Sequence, residues 1–209
     1  MRGLFTGAAA LFVAAAFSQP LPLSEPLANP LGGRLDPRVP RPEAVIGHTL
    51  GAKHTRSDLM HAYFRAVDQA SYRVQMWQYG TSHDGRPLIY AAVSHPSNMA
   101  RIEEIRRANL QLSEDPGAVT DAQLGRMPTV LWLGYGVHGN EPSAAESALL
   151  TLYTLAATQS PQAEERLRNV VIIIDPLYNP DGHDRFVHWV NTFRGATPTA
   201  DPQHREHSE

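Results

Sequence analysis

The chain has 209 residues, enough for one domain of ordinary size with appendages. Apolar residues make up 42% and charged residues 19%, a balance that supplies a core and excludes wholesale disorder. The net charge of −3 excludes the basic face that nucleic acid needs, and the absence of cysteine excludes disulfides, Cys-ligated zinc, iron–sulfur clusters and thiol nucleophiles.

Met1-Arg2, an apolar run over 7–17 and Ala16-Phe17-Ser18 together read as a signal peptide over 1–18, cleaved before Gln19. The run is shorter than the roughly 20 residues that cross a bilayer as a helix. The expectation is an exported protein, periplasmic or secreted, with no membrane contact once the signal is gone. Residues 19–50 hold seven prolines and Gly32-Gly33. Proline fixes φ and removes a donor, so this stretch reads as an extended linker or arm, with the folded part starting near residue 51.

From there helices and strands alternate. Ser57 is placed to cap a helix over 58–70 whose apolar residues share one face. Residues 73–79 and 88–94 read as strands joined by the turn-rich loop Gly80–Pro87. Ser97 is placed to cap a helix over about 98–112. The apolar runs 128–134 and 169–175 read as buried strands, with a helix over about 142–158 between them. The fold class predicted is α/β: a mixed, mainly parallel sheet sandwiched by helices, incomplete at its C-terminal side.

In such sheets ligands bind beyond the carboxyl ends of strands. Two such ends carry chemistry: Gly134 to Pro142, and Asp175 to Gly182. Gly134, Gly136 and Gly139 match the dinucleotide pattern G-x-G-x-x-G. Glu141 opposes that reading, because it puts a carboxylate where a pyrophosphate would dock on the helix N-terminus. The acid that ends the next strand, Asp175, also lies too far along for ribose binding. A metal site fits better. His138 and Glu141, three residues apart at a helix start, can aim an imidazole nitrogen and a carboxylate at one cation, and zinc accepts both. The spacing H-x-x-E alone is common; its setting at a strand end is what gives it weight. Asp175 reads either as a partner to a ligand histidine or as a strand-end acid that caps a neighbouring loop. Asn179 and Asp181 read as turn-forming residues.

His138-Gly139-Asn140-Glu141-Pro142 resembles the zinc-binding segment of the M14 zinc carboxypeptidases, and Asn179-Pro180-Asp181-Gly182 resembles the loop after the next strand in that family. The Gly80–Pro87 hairpin, with Asp84-Gly85-Arg86-Pro87, is similar to an early hairpin of the same domain. The resemblance implies that His138 and Glu141 are two of three zinc ligands. It also implies that Arg194, twelve residues after Gly182, is a catalytic and substrate-binding residue that stabilises charge on the scissile carbonyl oxygen. It implies one Zn2+ per full-length chain and a peptide or peptide-like substrate. Departures are equally plain. Asn140 stands where digestive members have arginine. The family's Asn-Arg pair, third ligand histidine and general-base glutamate have no matching segment before Glu209.

Three accounts stay open. The first is an exported metallocarboxypeptidase hydrolysing C-terminal peptide bonds, of which 51–209 is the N-terminal portion of the catalytic domain, inactive by itself. The second is a zinc-dependent N-acyl amino acid deacylase of the same superfamily. The third is a non-catalytic peptide-binding remnant. The export signal and the Asn-Pro-Asp-Gly loop with Arg194 favour peptides.

Overall fold

A computed structural model describes residues 29–192. Residues 1–18, read above as a signal peptide, and Arg194 lie outside the described residues. The chain runs through α1 (Pro42–Ile46) and α2 (Ser57–Ala70) into a hairpin of β1 (Val74–Thr81) and β2 (Pro87–Val93). Next come α3 (Pro96–Met99), α4 (Ile102–Glu114), a short 3-10 turn, α5 (Asp121–Leu124) and β3 (Thr129–Gly134). Two helices, α6 (Pro142–Ala157) and α7 (Pro161–Asn169), cross over to β4 (Val170–Asp175), and α8 (Pro180–Thr192) follows.

The strands form one mixed sheet in the order β1-β2-β4-β3. The parallel share is smaller than expected. The β1–β2 hairpin and the β2–β4 pair are antiparallel, and the β3–β4 pair is parallel, because a long helical crossover joins those two strands. Side chains alternate across the sheet. Ala91, Val93, Ile172 and Ile174 face the main core with α1, α2 and α6. Ala92, Val171 and Ile173 face a smaller cluster with Ile102 and Ile105 of α4. Helices therefore cover both faces, as the class requires. No helix among the described residues is long and apolar enough to cross a membrane.

Four local readings are corrected. The proline-rich stretch contains α1, with Pro42 in its first turn, where a missing N–H costs nothing, and Gly47 closing it at φ 76°. Val39, Ile46 and Leu50 from this stretch are buried in the main core. The helix expected over 98–112 is broken at Arg101 into α3 and α4, and it is the His95 ring, not Ser97, that accepts the first free N–H. The apolar strand β3 is not buried: Trp132 is 54% exposed, and Val130 and Leu131 are exposed too, because β3 lies at the sheet edge among the described residues. Asn-Pro-Asp-Gly does not close a turn but starts α8.

Ser57 also departs from its expected role. It is the first residue of α2, and its N–H and hydroxyl both donate to the Asp184 carboxylate on α8, at 2.9 and 2.5 Å. Asp184 thus satisfies a free helix donor across the fold. The same carboxylate accepts from Arg86 Nε at 2.9 Å. Arg86 Nη1 donates to Asp181 at 2.8 Å, and the Ser82 hydroxyl and Asp84 N–H donate to Asp181 at 2.7 and 3.1 Å. One arginine and two aspartates therefore clamp the β1–β2 hairpin to the start of α8 and the start of α2.

The clamp holds its carboxyls below the usual range. The Ser82 hydroxyl contributes most for Asp181, helped by Asp84 N–H and Arg86. Burial pushes Asp184 up, but Ser57 and Arg86 outweigh it. A depressed folded-state pKa gives stability that is present above the unfolded value and lost as pH falls through the folded one. The melting temperature should therefore drop as pH falls below about 4. Arg86→Ala should lower it by roughly 2–4 °C at neutral pH and flatten the acid loss. Asp175, which burial raises, titrates in the opposite sense in both proteins and cancels in the difference. Identical acid slopes for the two proteins, measured by thermal unfolding, reject the clamp.

Candidate metal centre

Parallel pairing brings both candidate loops to one edge. Gly134 lies in register with Asp175, so the carboxyl ends of β3 and β4 are neighbours. The pairing continues past the strands: Tyr135 N–H donates to Asp175 O at 3.0 Å, Tyr178 N–H to Tyr135 O at 2.9 Å, and Asn179 N–H to Gly136 O at 3.1 Å.

The glycines of the first loop make this approach possible. A Cβ at Gly134 would lie 2.2 Å from the Tyr178 ring. Gly136 has φ 63°, and a Cβ there would lie 2.4 Å from Leu177 Cδ1. At Gly139 it would lie 2.1 Å from the Gly182 carbonyl carbon. The G-x-G-x-x-G spacing thus has a packing cause. These glycines admit a second loop of the protein.

His138 and Glu141 come together on this loop. His138 Nδ1 and Glu141 Oε2 lie 3.2 Å apart. The turn between them is closed by Glu141 N–H donating to His138 O at 3.2 Å, and Pro142 begins α6 immediately after. Both side chains are open, 69% and 61% exposed. Zinc binds nitrogen and oxygen donors at about 2.0–2.2 Å, so two donors at a tetrahedral angle lie roughly 3.3 Å apart. The observed pair matches that edge. Among the described residues no group of three His, Cys, Asp or Glu side chains could hold a metal.

The neighbours have other roles. Asp175 is fully buried and its carboxylate accepts from the Tyr79 hydroxyl at 2.6 Å and from Leu177 N–H at 3.1 Å. Those bonds, not a ligand histidine, partner it. Burial raises its pKa, and the two hydrogen bonds oppose the rise. His183 is buried, with Nε2 on Thr55 O at 2.8 Å, which takes it away from the metal loop. Asn179 caps α8: its Oδ1 accepts from Gly182 N–H at 2.9 Å. Its Nδ2 reaches back to Val137 O at 3.3 Å. Sequence reading missed this tie, although Asn, Pro and Asp in succession also form a standard helix start.

Gly139→Ala should cost about 1–3 kcal/mol, because the added methyl meets main chain that cannot rotate away. Gly117→Ala, whose methyl would meet its nearest atom at 3.6 Å, should stay within about 0.5 kcal/mol. Chemical denaturation of the two variants checks the contrast.

The sequence pattern of the family described as zinc carboxypeptidase (Peptidase_M14) matches residues 60–204. Carboxypeptidase 2 of Trichophyton rubrum is 28% identical over 139 residues, which is 66% of this chain and 22% of the relative. The probable carboxypeptidase 2 of Trichophyton verrucosum is 44% identical over 62 residues, covering 30% of this chain and 12% of the relative. Among solved structures, carboxypeptidase A from Helicoverpa armigera aligns with 70% of this chain and 34% of its own, at 17% identity and a TM-score of 0.47. The chain therefore spans about a fifth of the length of the first relative. The family match takes in the hairpin, the metal loop, the start of α8 and Arg194, and this protein belongs to the zinc carboxypeptidase family.

Proposed function

We propose that the full-length protein is an exported zinc-dependent metallocarboxypeptidase that hydrolyses C-terminal peptide bonds. The chain from the core-packed Val39 onward, α1 included, forms the N-terminal portion of its catalytic domain. The observation that carries the reading is the donor pair: His138 Nδ1 and Glu141 Oε2, 3.2 Å apart at the carboxyl edge of the sheet. The third ligand and the general base come from chain beyond these residues. The exposed apolar face of β3 supports this, since a sheet edge of Val, Leu and Trp normally has a covering partner.

His138 and Glu141 would hold the ion. Bound there, zinc lowers the pKa of a water to about 7 and polarises a carbonyl. The chain's own contribution is geometric and electrostatic. The loop pair keeps two donors at the spacing of one cation. On this reading Arg194 presents guanidinium donors to the oxygen on which charge grows. A peptide substrate is favoured by the carboxypeptidase relatives and by the signal segment 1–18, which sends the protein to the periplasm or outside the cell.

In the full-length protein, His138→Ala should abolish stoichiometric zinc, read by metal analysis after dialysis. Full occupancy in that variant refutes the ligand pair. Arg194→Ala should lower kcat about a hundredfold or more while zinc content stays normal. An unchanged kcat on a peptide substrate removes Arg194 from the mechanism.

A further inference from the structure

We propose that Asn179 is the positioning residue of the metal loop: one side chain that fixes the main chain carrying His138 to the anchored start of α8. The inference rests on the metal-site reading above and adds a residue to it.

The His138 imidazole is largely in solvent, and among the described residues its hydrogen-bond partner is Glu141 alone. Among the described residues no carboxylate or carbonyl stands behind the ring, where a metal-binding histidine usually has one. Its orientation therefore depends on the path of its own main chain. Asn179 controls that path at two consecutive carbonyls. Its N–H donates to Gly136 O at 3.1 Å, and its Nδ2 donates to Val137 O at 3.3 Å. Val137 directly precedes His138.

The other end of the same amide is fixed. Oδ1 accepts from Gly182 N–H at 2.9 Å, and Asn179 O accepts from His183 N–H at 3.0 Å. The first turn of α8 is itself held from three directions. His183 is bonded to Thr55 O, Asp184 to Ser57, and Asp181 to Ser82 and Arg86. Asn179 thus joins a rigid platform to the loop that carries His138. A residue needed for turn geometry alone would need only the acceptor; the donor to Val137 O is what a positioning role requires.

That difference makes the inference testable. Asn179→Asp keeps an acceptor for Gly182 N–H, so α8 stays capped, but it loses the donor and sets a carboxylate against a carbonyl. In the full-length protein, Asn179→Asp should raise the zinc dissociation constant about ten- to a hundredfold. It should also shift the visible absorption bands of the protein loaded with Co2+ alone, while the melting temperature changes little. Asp181→Asn, on the same turn but bonded to the hairpin, should lower the melting temperature and leave zinc affinity and the cobalt spectrum as in the wild type. All titrations are made where circular dichroism shows each variant folded. If Asn179→Asp does not fold, Asn179→Ser gives the same reading, since its shorter hydroxyl can still cap the helix. Wild-type zinc affinity with an unchanged cobalt spectrum in the folded Asn179 variant overturns the proposal. Wild-type zinc affinity in His138→Ala overturns the metal site beneath it, which separates the two failures.

Discussion

Two strand-end loops of this protein meet through main-chain atoms, with Gly139 laid against the Gly182–His183 peptide. Packing there leaves no room for a methyl group, because the atoms opposite belong to backbone and cannot rotate aside. The parallel β3–β4 register puts both loops at one edge, and the glycines let them close onto each other. Everything at the candidate site depends on that closeness. The ladder of hydrogen bonds from Tyr135 to Asn179 extends the strand pairing into the loops. It sets where α6 and α8 begin, and so where His138 and Glu141 lie relative to the helix starts.

The second loop could not hold the first unless it were held itself. That is the work of Arg86, Asp181 and Asp184, which bring the β1–β2 hairpin and the start of α2 onto the start of α8. The contacts are separated by about a hundred residues of chain, so they form only once the sheet is assembled. The Asp-Gly-Arg-Pro hairpin and the Asn-Pro-Asp-Gly loop, two separate landmarks in the sequence, are one bonded structure. Their charges are complementary: the arginine of one motif pairs with the aspartate of the other.

How much of this was legible in the sequence depended on whether a signal was local. Helix periodicity located α2, apolar runs located β3 and β4, and the turn-rich loop between two strand-like segments located β1 and β2, each strand to within a residue or two. The apolar run of β3 could not say that the strand lies at an edge, because burial is decided by which strand is paired beside it. Asn179 and Pro180 were ambiguous because turn and helix-cap chemistry use the same residues; only the alternating faces of 183–190 could have decided for α8. Prolines hid α1, since the rule against proline inside helices does not apply to a first turn. At the site, the nearness of His138 and Glu141 could be read from their spacing at a strand end. Asn179, Tyr79 and the Ser57–Asp184 bond could not, because each depends on a partner distant in the chain.

On the reading proposed above, the exposed strand and the incomplete donor set have one geometric cause. β3 carries the metal loop at its carboxyl end and turns its free edge outward among the described residues. A strand that paired there in parallel would bury Val130, Leu131 and Trp132 from the open side. It would also place its own carboxyl end beside His138 and Glu141, since parallel neighbours end at the same edge. The burial that completes the sheet and the donor that completes the metal site would then arrive on the same element. Without that strand the sheet has an exposed apolar edge beside His138 and Glu141, which is the combination found among the described residues.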